Sequence, residues 1–218
     1  YTYVLSFFED RGNLTDEGRK VAKELSRIWK DAKGHAGQLT PLGEKQHRGI
    51  ALRMYRTFPE VFLGQGAVNA YSSTSGRCIK SMEAFTGELE ELNPDLEVNT
   101  SSDRSNMEFI AHTDKAHTEF NRTLSTPLSV SGDRFAAALF KNPDVVKNKE
   151  KFLRTMHKVA SDMQDIPMDI NLFRLFTPEE LKALYDRNNL SLYLRNGDDV
   201  RNRGYGASSS IPLWEDVA

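Results

Sequence analysis

Apolar residues recur along most of the chain at the three- and four-residue spacing of helices, interrupted by two short runs that read as strands. From Asp16 to Ala32, Gly18, Val21, Ala22, Leu25, Ile28, Trp29 and Ala32 trace one stripe. Thr15 supplies an N-cap, Asp16 and Glu17 suit a first turn, and Gly34 closes the segment. A second helix starts at Thr40-Pro41, a cap followed by proline at the first helical position. Its Leu42, Ile50, Met54 and Phe58 share a face, and Pro59 breaks it or starts another turn. Gly64 and Gly66 then release the chain into a predicted strand, Ala67 to Tyr71. A third helix spans Gly76 to Leu92, with Cys78, Met82, Phe85, Leu89 and Leu92 as its expected buried face, and Asn93-Pro94 stops it. Leu96 and Val98 predict a second short strand, followed by the polar turn Thr100-Ser101-Ser102-Asp103-Arg104.

Beyond Asn106 the pattern is mainly helical: Asn106 to Leu124, Asp144 to Asp162, and a helix opening at Thr177-Pro178-Glu179-Glu180 that continues to about Leu194. Asn196-Gly197-Asp198 marks a break. The layout is an α/β segment, a long helical segment and a short return. The neighbourhoods of Phe173 and Tyr193 read as core, and His112, His117 and His157 as helix-surface residues. Two strands alone do not make a stable sheet, so the layout calls for further strands, either in this sequence or outside it.

Composition changes this picture little. The 218 residues suffice for one large domain or two small ones, and 39% hydrophobic with 28% charged residues is ordinary for a globular protein. A net charge of −2 gives no global basic field to attract nucleic acid, so a polyanionic substrate would need a local cluster of cations. No apolar run approaches the roughly 20 residues that cross a bilayer. The single cysteine, Cys78, excludes an internal disulfide, and its place on an apolar helix face favours packing over reactivity.

The stretch Ala70 to Phe85 carries the candidate chemistry. An apolar strand ends in the hydroxyl run Ser72-Ser73-Thr74-Ser75, then Gly76 and Arg77 open a helix. The first turn of a helix holds unpaired N–H groups and partial positive charge, and a guanidinium there adds a planar fork of donors that matches phosphate. Ser72 and Ser73 are candidates to hydrogen-bond such an anion or to shape the turn, with turn shaping favoured. Arg104 follows the second strand as Arg77 follows the first. If the strands are parallel, both emerge at the carboxyl edge, where ligands of open α/β sheets bind.

At this point a family resemblance becomes specific. Gly37-Gln38-Leu39-Thr40-Pro41-Leu42-Gly43 with Gln46-His47 resembles a motif region of the histidine acid phosphatases. The block from Ser72 to Phe85, with Arg77-Cys78 and Ser81, is similar to the multiple inositol polyphosphate phosphatase branch. So are Asn106 to Ile110, the run from Lys158 through Ile170, and Arg203 to Ser210 ahead of an apolar–acidic end, Leu213 to Val217. The resemblance implies an α/β fold: part of a histidine phosphatase core with an inserted, mainly α-helical cap. Residues 1–99 would belong to the core, 100–196 to the cap and 197–218 to a return into the core. It implies hydrolysis of phosphate monoesters through a phosphohistidine, with no metal or cofactor. The implied partner is a small phosphate ester, phytate or a related inositol polyphosphate, and the implied setting is periplasmic or secreted. Arg77 is then the phosphate-holding catalytic arginine. Arg104, Arg203, Ser72 and Ser73 are candidates for substrate binding.

The chain departs from the family at two places. It has no Arg-His-Gly nucleophile motif and no His-Ala-Glu or His-Asp proton-donor motif. Gln46-His47-Arg48-Gly49 holds similar letters in another order, within a predicted helix. By the family's order the missing motifs would precede Tyr1 and follow Ala218. The expectation is therefore an internal piece of a longer enzyme, inactive by itself. The alternative is a non-catalytic relative that binds anions or a partner.

Overall fold

In chain order the elements are α1 (Thr2–Leu5), α2 (Asp16–Ala32), α3 (Pro41–Thr57), α4 (Pro59–Phe62), β1 (Ala67–Tyr71), α5 (Gly76–Leu92), β2 (Glu97–Ser101), α6 (Met107–Ile110), α7 (Asp133–Leu139), α8 (Lys149–Asp162) and α9 (Pro178–Asn196). They are those of a computed structural model, in which residues 1–63, 66–110, 119, 128–163 and 166–197 are described. The chain divides into two units, one of Tyr1–Ala36 with Thr123–Asn202, the other of Gly37–Arg122 with Arg203–Ala218. The apolar stripe on α2 packs with α7.

In the first unit, Thr15 caps α2 by accepting from the Gly18 N–H at 3.0 Å, while its hydroxyl donates to the Ala138 carbonyl at 2.7 Å. The Thr15 N–H donates to the Leu139 carbonyl at 3.1 Å. The close approach is possible because Gly18 has no side chain: a Cβ there would lie 2.0 Å from the Leu139 oxygen. Val21, Ala22, Leu25 and Ile28 are buried below it. Phe152 of α8 is the centre of an aromatic group, with Phe7, Phe135 and Phe140 edge-on at 5.4, 6.0 and 5.7 Å. Helix α9 begins with the expected capping box between Thr177 and Glu180. Glu180 also holds the Arg134 guanidinium in two parallel hydrogen bonds of 2.8 and 2.6 Å.

In the second unit, β1 and β2 pair in parallel and in register, from Ala67 opposite Glu97 to Tyr71 opposite Ser101. Val68 and Val98 are half-buried against a small cluster of Ala51, Phe62, Leu89 and Leu96. Asn69 and Asn99 are exposed, and the Asn99 amide donates to the Asn69 side-chain oxygen at 3.3 Å. Helix α5 contacts both strands and packs on α3, where Arg48 reaches Glu88 and Glu91.

Several expectations need correction. On α5 only Leu89 of the predicted face is fully buried, with Cys78, Met82, Phe85 and Leu92 half-buried, because the helix is gripped from two sides. Ala84 and Thr86 are buried instead, and the Thr86 hydroxyl is satisfied by donating to the Met82 carbonyl. The aligned Leu42, Ile50 and Met54 of α3, with Phe58 at its C-cap, are exposed, and it is the small Ala51 that joins the cluster with Leu89. Tyr193 is half-exposed and its neighbour Leu194 is buried, so the core face of α9 is offset by one residue. His157 is half-buried against the rings of Phe173 and Phe176, at 5.7 and 5.8 Å, rather than on the surface. The region Asp144 to Asp162 opens with a 3-10 turn, Pro143–Val145, and becomes α-helical at Lys149, capped by Asn148. Of the helix expected from Asn106 to Leu124, Met107–Ile110 forms α6 and Glu119 is helical. The remainder, with His112 and His117, lies outside the described residues.

Candidate functional site

The parallel pairing brings the carboxyl ends of both strands side by side, and the two loops that leave them carry the candidate residues. The Ser72 N–H donates to the Ser101 carbonyl at 2.9 Å, extending the ladder past Tyr71. Ser72 is buried, and its hydroxyl donates to the Ser73 carbonyl at 2.9 Å. The Ser73 hydroxyl accepts from the Ser75 N–H at 3.5 Å. Both hydroxyls are engaged in folding the turn that reverses the chain into α5.

That turn delivers an open helix start. Ser75 occupies the N-cap position of α5, and no side chain caps the helix. The first turn carries no acidic residue. The Ser75 carbonyl accepts from the N–H groups of Cys78 and Ile79, at 2.9 and 3.0 Å. The N–H groups of Gly76 and Arg77 are orphan donors in the sense that every helix start leaves them. Arg77 is exposed, and its guanidinium has no ion-pair or hydrogen-bond partner among the described residues. Its backbone carbonyl accepts from the Ser81 hydroxyl at 2.8 Å, which firms the first turn of α5. A full positive charge therefore sits on the partially positive end of a helix, an arrangement that repels cations and suits a phosphoryl oxyanion.

Arg104 opens the 3-10 turn Arg104–Asn106 just beyond β2 and is also exposed, without an ion pair among the described residues. The residue that sequence reading passed over as a site element is Asn106. It is buried, and its side-chain amide donates to the Ser101 carbonyl at 3.2 Å and the Ser101 hydroxyl at 3.0 Å. The Ser101 hydroxyl in turn donates to Asp103 at 3.2 Å. These bonds tie the exit of β2 to the turn that carries Arg104. The sequence hint was a lone asparagine at the end of a Ser-Ser-Asp turn, where such side chains bond locally.

Arg203, the remaining candidate, lies outside the described residues. His47, in the stretch that rearranges the nucleophile letters, is a half-buried residue within α3. Among the described residues, no cluster of histidine, cysteine or acidic side chains could hold a metal ion, and no helix is long and apolar enough to cross a membrane.

No protein-family model matches the chain, and no curated protein matches its sequence. Among solved structures, the fold is similar to that of a Bifidobacterium longum multiple inositol polyphosphate phosphatase, crystallised in complex with inositol hexasulfate. The TM-score is 0.60 at 13% sequence identity, and the match covers 98% of this chain. The chain spans 64% of the length of that protein. At that identity the likeness concerns the fold alone: a helix-rich α/β arrangement with a small parallel sheet and a helical portion.

Proposed function

We propose that this chain is the phosphate-holding portion of a phosphomonoesterase that acts on inositol polyphosphates through a phosphohistidine intermediate. The observation that carries the reading is the start of α5, uncapped by any side chain, with Arg77 exposed and without a partner among the described residues at the carboxyl edge of a parallel strand pair. The fold likeness to an inositol polyphosphate phosphatase supports it. Arg77 would hold the transferring phosphoryl group and offset the charge that spreads over its equatorial oxygens. Arg104 would meet a second phosphate of the same substrate. Ser72, Ser73 and Asn106 would shape the two loops. Arg203 remains a proposed substrate contact on the strength of the resemblance alone. The histidine nucleophile and the acid that protonates the leaving alkoxide would come from sequence outside these 218 residues.

The test is phosphate release from phytate by the protein encoded by the full reading frame. Arg77→Ala is expected to lower kcat/KM by about 100-fold or more, as loss of a transition-state charge partner does. Undiminished activity would remove Arg77 from the site. Arg104→Ala is expected to raise KM for phytate more than for a simple monoester, and equal effects on both would refute its substrate-specific role. The second reading, a non-catalytic relative that binds anions or a partner, would be favoured by the absence of both histidine motifs from the full reading frame. It predicts phytate binding without phosphate release.

A further inference from the structure

Helices α8 and α9 carry a second concentration of positive charge that the reading above does not use. Glu150, Arg154 and Lys158 follow one another at four-residue intervals on α8, so they share a face of that helix. Arg187 comes to this face from α9. Its Nε lies 3.0 Å from Glu150 Oε1. The same carboxylate oxygen is the only charged partner of Arg154 among the described residues, at 3.9 Å. Two guanidinium groups thus share one oxygen of one carboxylate, leaving a formal charge of +1 before Lys158 is counted.

The hydrogen bonding is as incomplete as the charge balance. The Arg187 side chain is only 15% exposed, and its Nε is buried without a hydrogen bond. The 3.0 Å approach to Glu150 satisfies the distance of an ion pair but not the direction of an N–H bond, so the donor is left over. Buried donors of this kind normally have partners, because an unmade bond forfeits the desolvation already incurred by the group. Arg154 has no hydrogen bond among the described residues. Burial, and then the charge of Arg187, hold its pKa below the usual arginine value, so the two cations disfavour each other. By contrast, Arg134 and Arg174 in the same unit are each fully engaged by glutamates and carbonyls.

We propose that Arg154 and Arg187 form a binding site for a phosphoryl oxyanion, with Glu150 holding both guanidinium groups in place when the site is empty. A tetrahedral oxyanion presents several acceptor oxygens, which matches two planar forks better than a single carboxylate oxygen does. The inference does not depend on the catalytic role of Arg77. The phosphoryl group could arrive as inorganic phosphate or as part of a phosphorylated inositol, and the experiment separates these sources.

The test is an NMR titration of the 218-residue chain, following the arginine Nε–Hε resonances, with sodium phosphate in one arm and phytate in the other, and sodium chloride at matched ionic strength as reference. The Arg187 and Arg154 signals are expected to shift saturably with the phosphoryl compounds and not with chloride. The shifts should persist in Arg77→Ala, which keeps this result separate from the site at α5. Saturation by phosphate alone identifies the free ion as sufficient, and saturation by phytate alone identifies the ester. Arg154→Gln, a change at a more exposed side chain, should weaken binding by about tenfold or more. Glu150→Gln should tighten it severalfold, because it removes the internal competitor. If neither arm moves the Arg187 signal, if chloride moves it equally, or if Glu150→Gln leaves the affinity unchanged, the site does not exist.

Discussion

His157 shows how a single side chain can carry a pH dependence that its sequence position conceals. Burial against Phe173 and Phe176 lowers its pKa below the ordinary histidine value of 6.5. The folded state therefore binds fewer protons than the unfolded state as pH falls past 6.5, and stability rises with pH across that range. The contribution is fully present above the unfolded value and is lost as pH falls from there through the lower folded pKa. Urea denaturation between pH 5 and 8 is expected to show this slope, and His157→Phe to flatten it. An unchanged slope in the variant would show that the histidine is not the group responsible. Sequence reading placed His157 on a helix surface because helical spacing assigns a face but not what packs on it. Phe173 arrives from a 3-10 turn, and Phe176 from the residue after it, which no period within α8 announces.

Among the elements, those with strong local signals were legible to the residue. The bounds of α2, β1 and α5 follow from a cap, a glycine or a proline at each end, since these residues act within a turn of their own position. The start of α9 was legible for the same reason, through its capping box. Helix α7 was not: Asp133–Leu139 is two turns long, too short for a period to show, and it exists because α2 and α8 pack against it. The outward direction of the aligned face of α3 was not legible, because alignment of apolar residues does not say which side is covered. A prediction belongs here. Gly18→Ala would raise the intrinsic helix propensity of α2 by about 1 kcal/mol, yet its methyl group would meet the Leu139 carbonyl of α7. Net destabilisation of about 1–3 kcal/mol is expected, measured as a lower urea midpoint. A midpoint that rises would show that α2 and α7 separate at no cost.

For the molecule as a whole, the two units have unequal cores. The first buries a continuous set of side chains from Val4 to Leu184, including Phe8, Phe135, Phe140 and Phe152. The second buries Ala51, Phe62, Leu89 and Leu96, with Tyr55, Val68, Phe85 and Val98 packed beside them. Local opening free energies follow buried apolar contact, so amides of α2 and α8 are expected to exchange more slowly than those of β1 and β2. Hydrogen-exchange mass spectrometry would show it, and equal protection in the two sets would contradict the account. The candidate site stands on the unit with the smaller core. The sequence revealed its position through the strand–hydroxyl–arginine order. It did not reveal the bracing by Asn106, which depends on how the turn after β2 folds back.

The contact between Gly18 and the Leu139 carbonyl reaches beyond stability. Any relative that keeps these two helices at this separation must have a hydrogen where other residues carry carbon, whatever else has drifted. A glycine one turn after a threonine cap, matched to a short helix ending about 120 residues later, is thus a steric signature by which structures of this fold could be aligned when little of the sequence is shared.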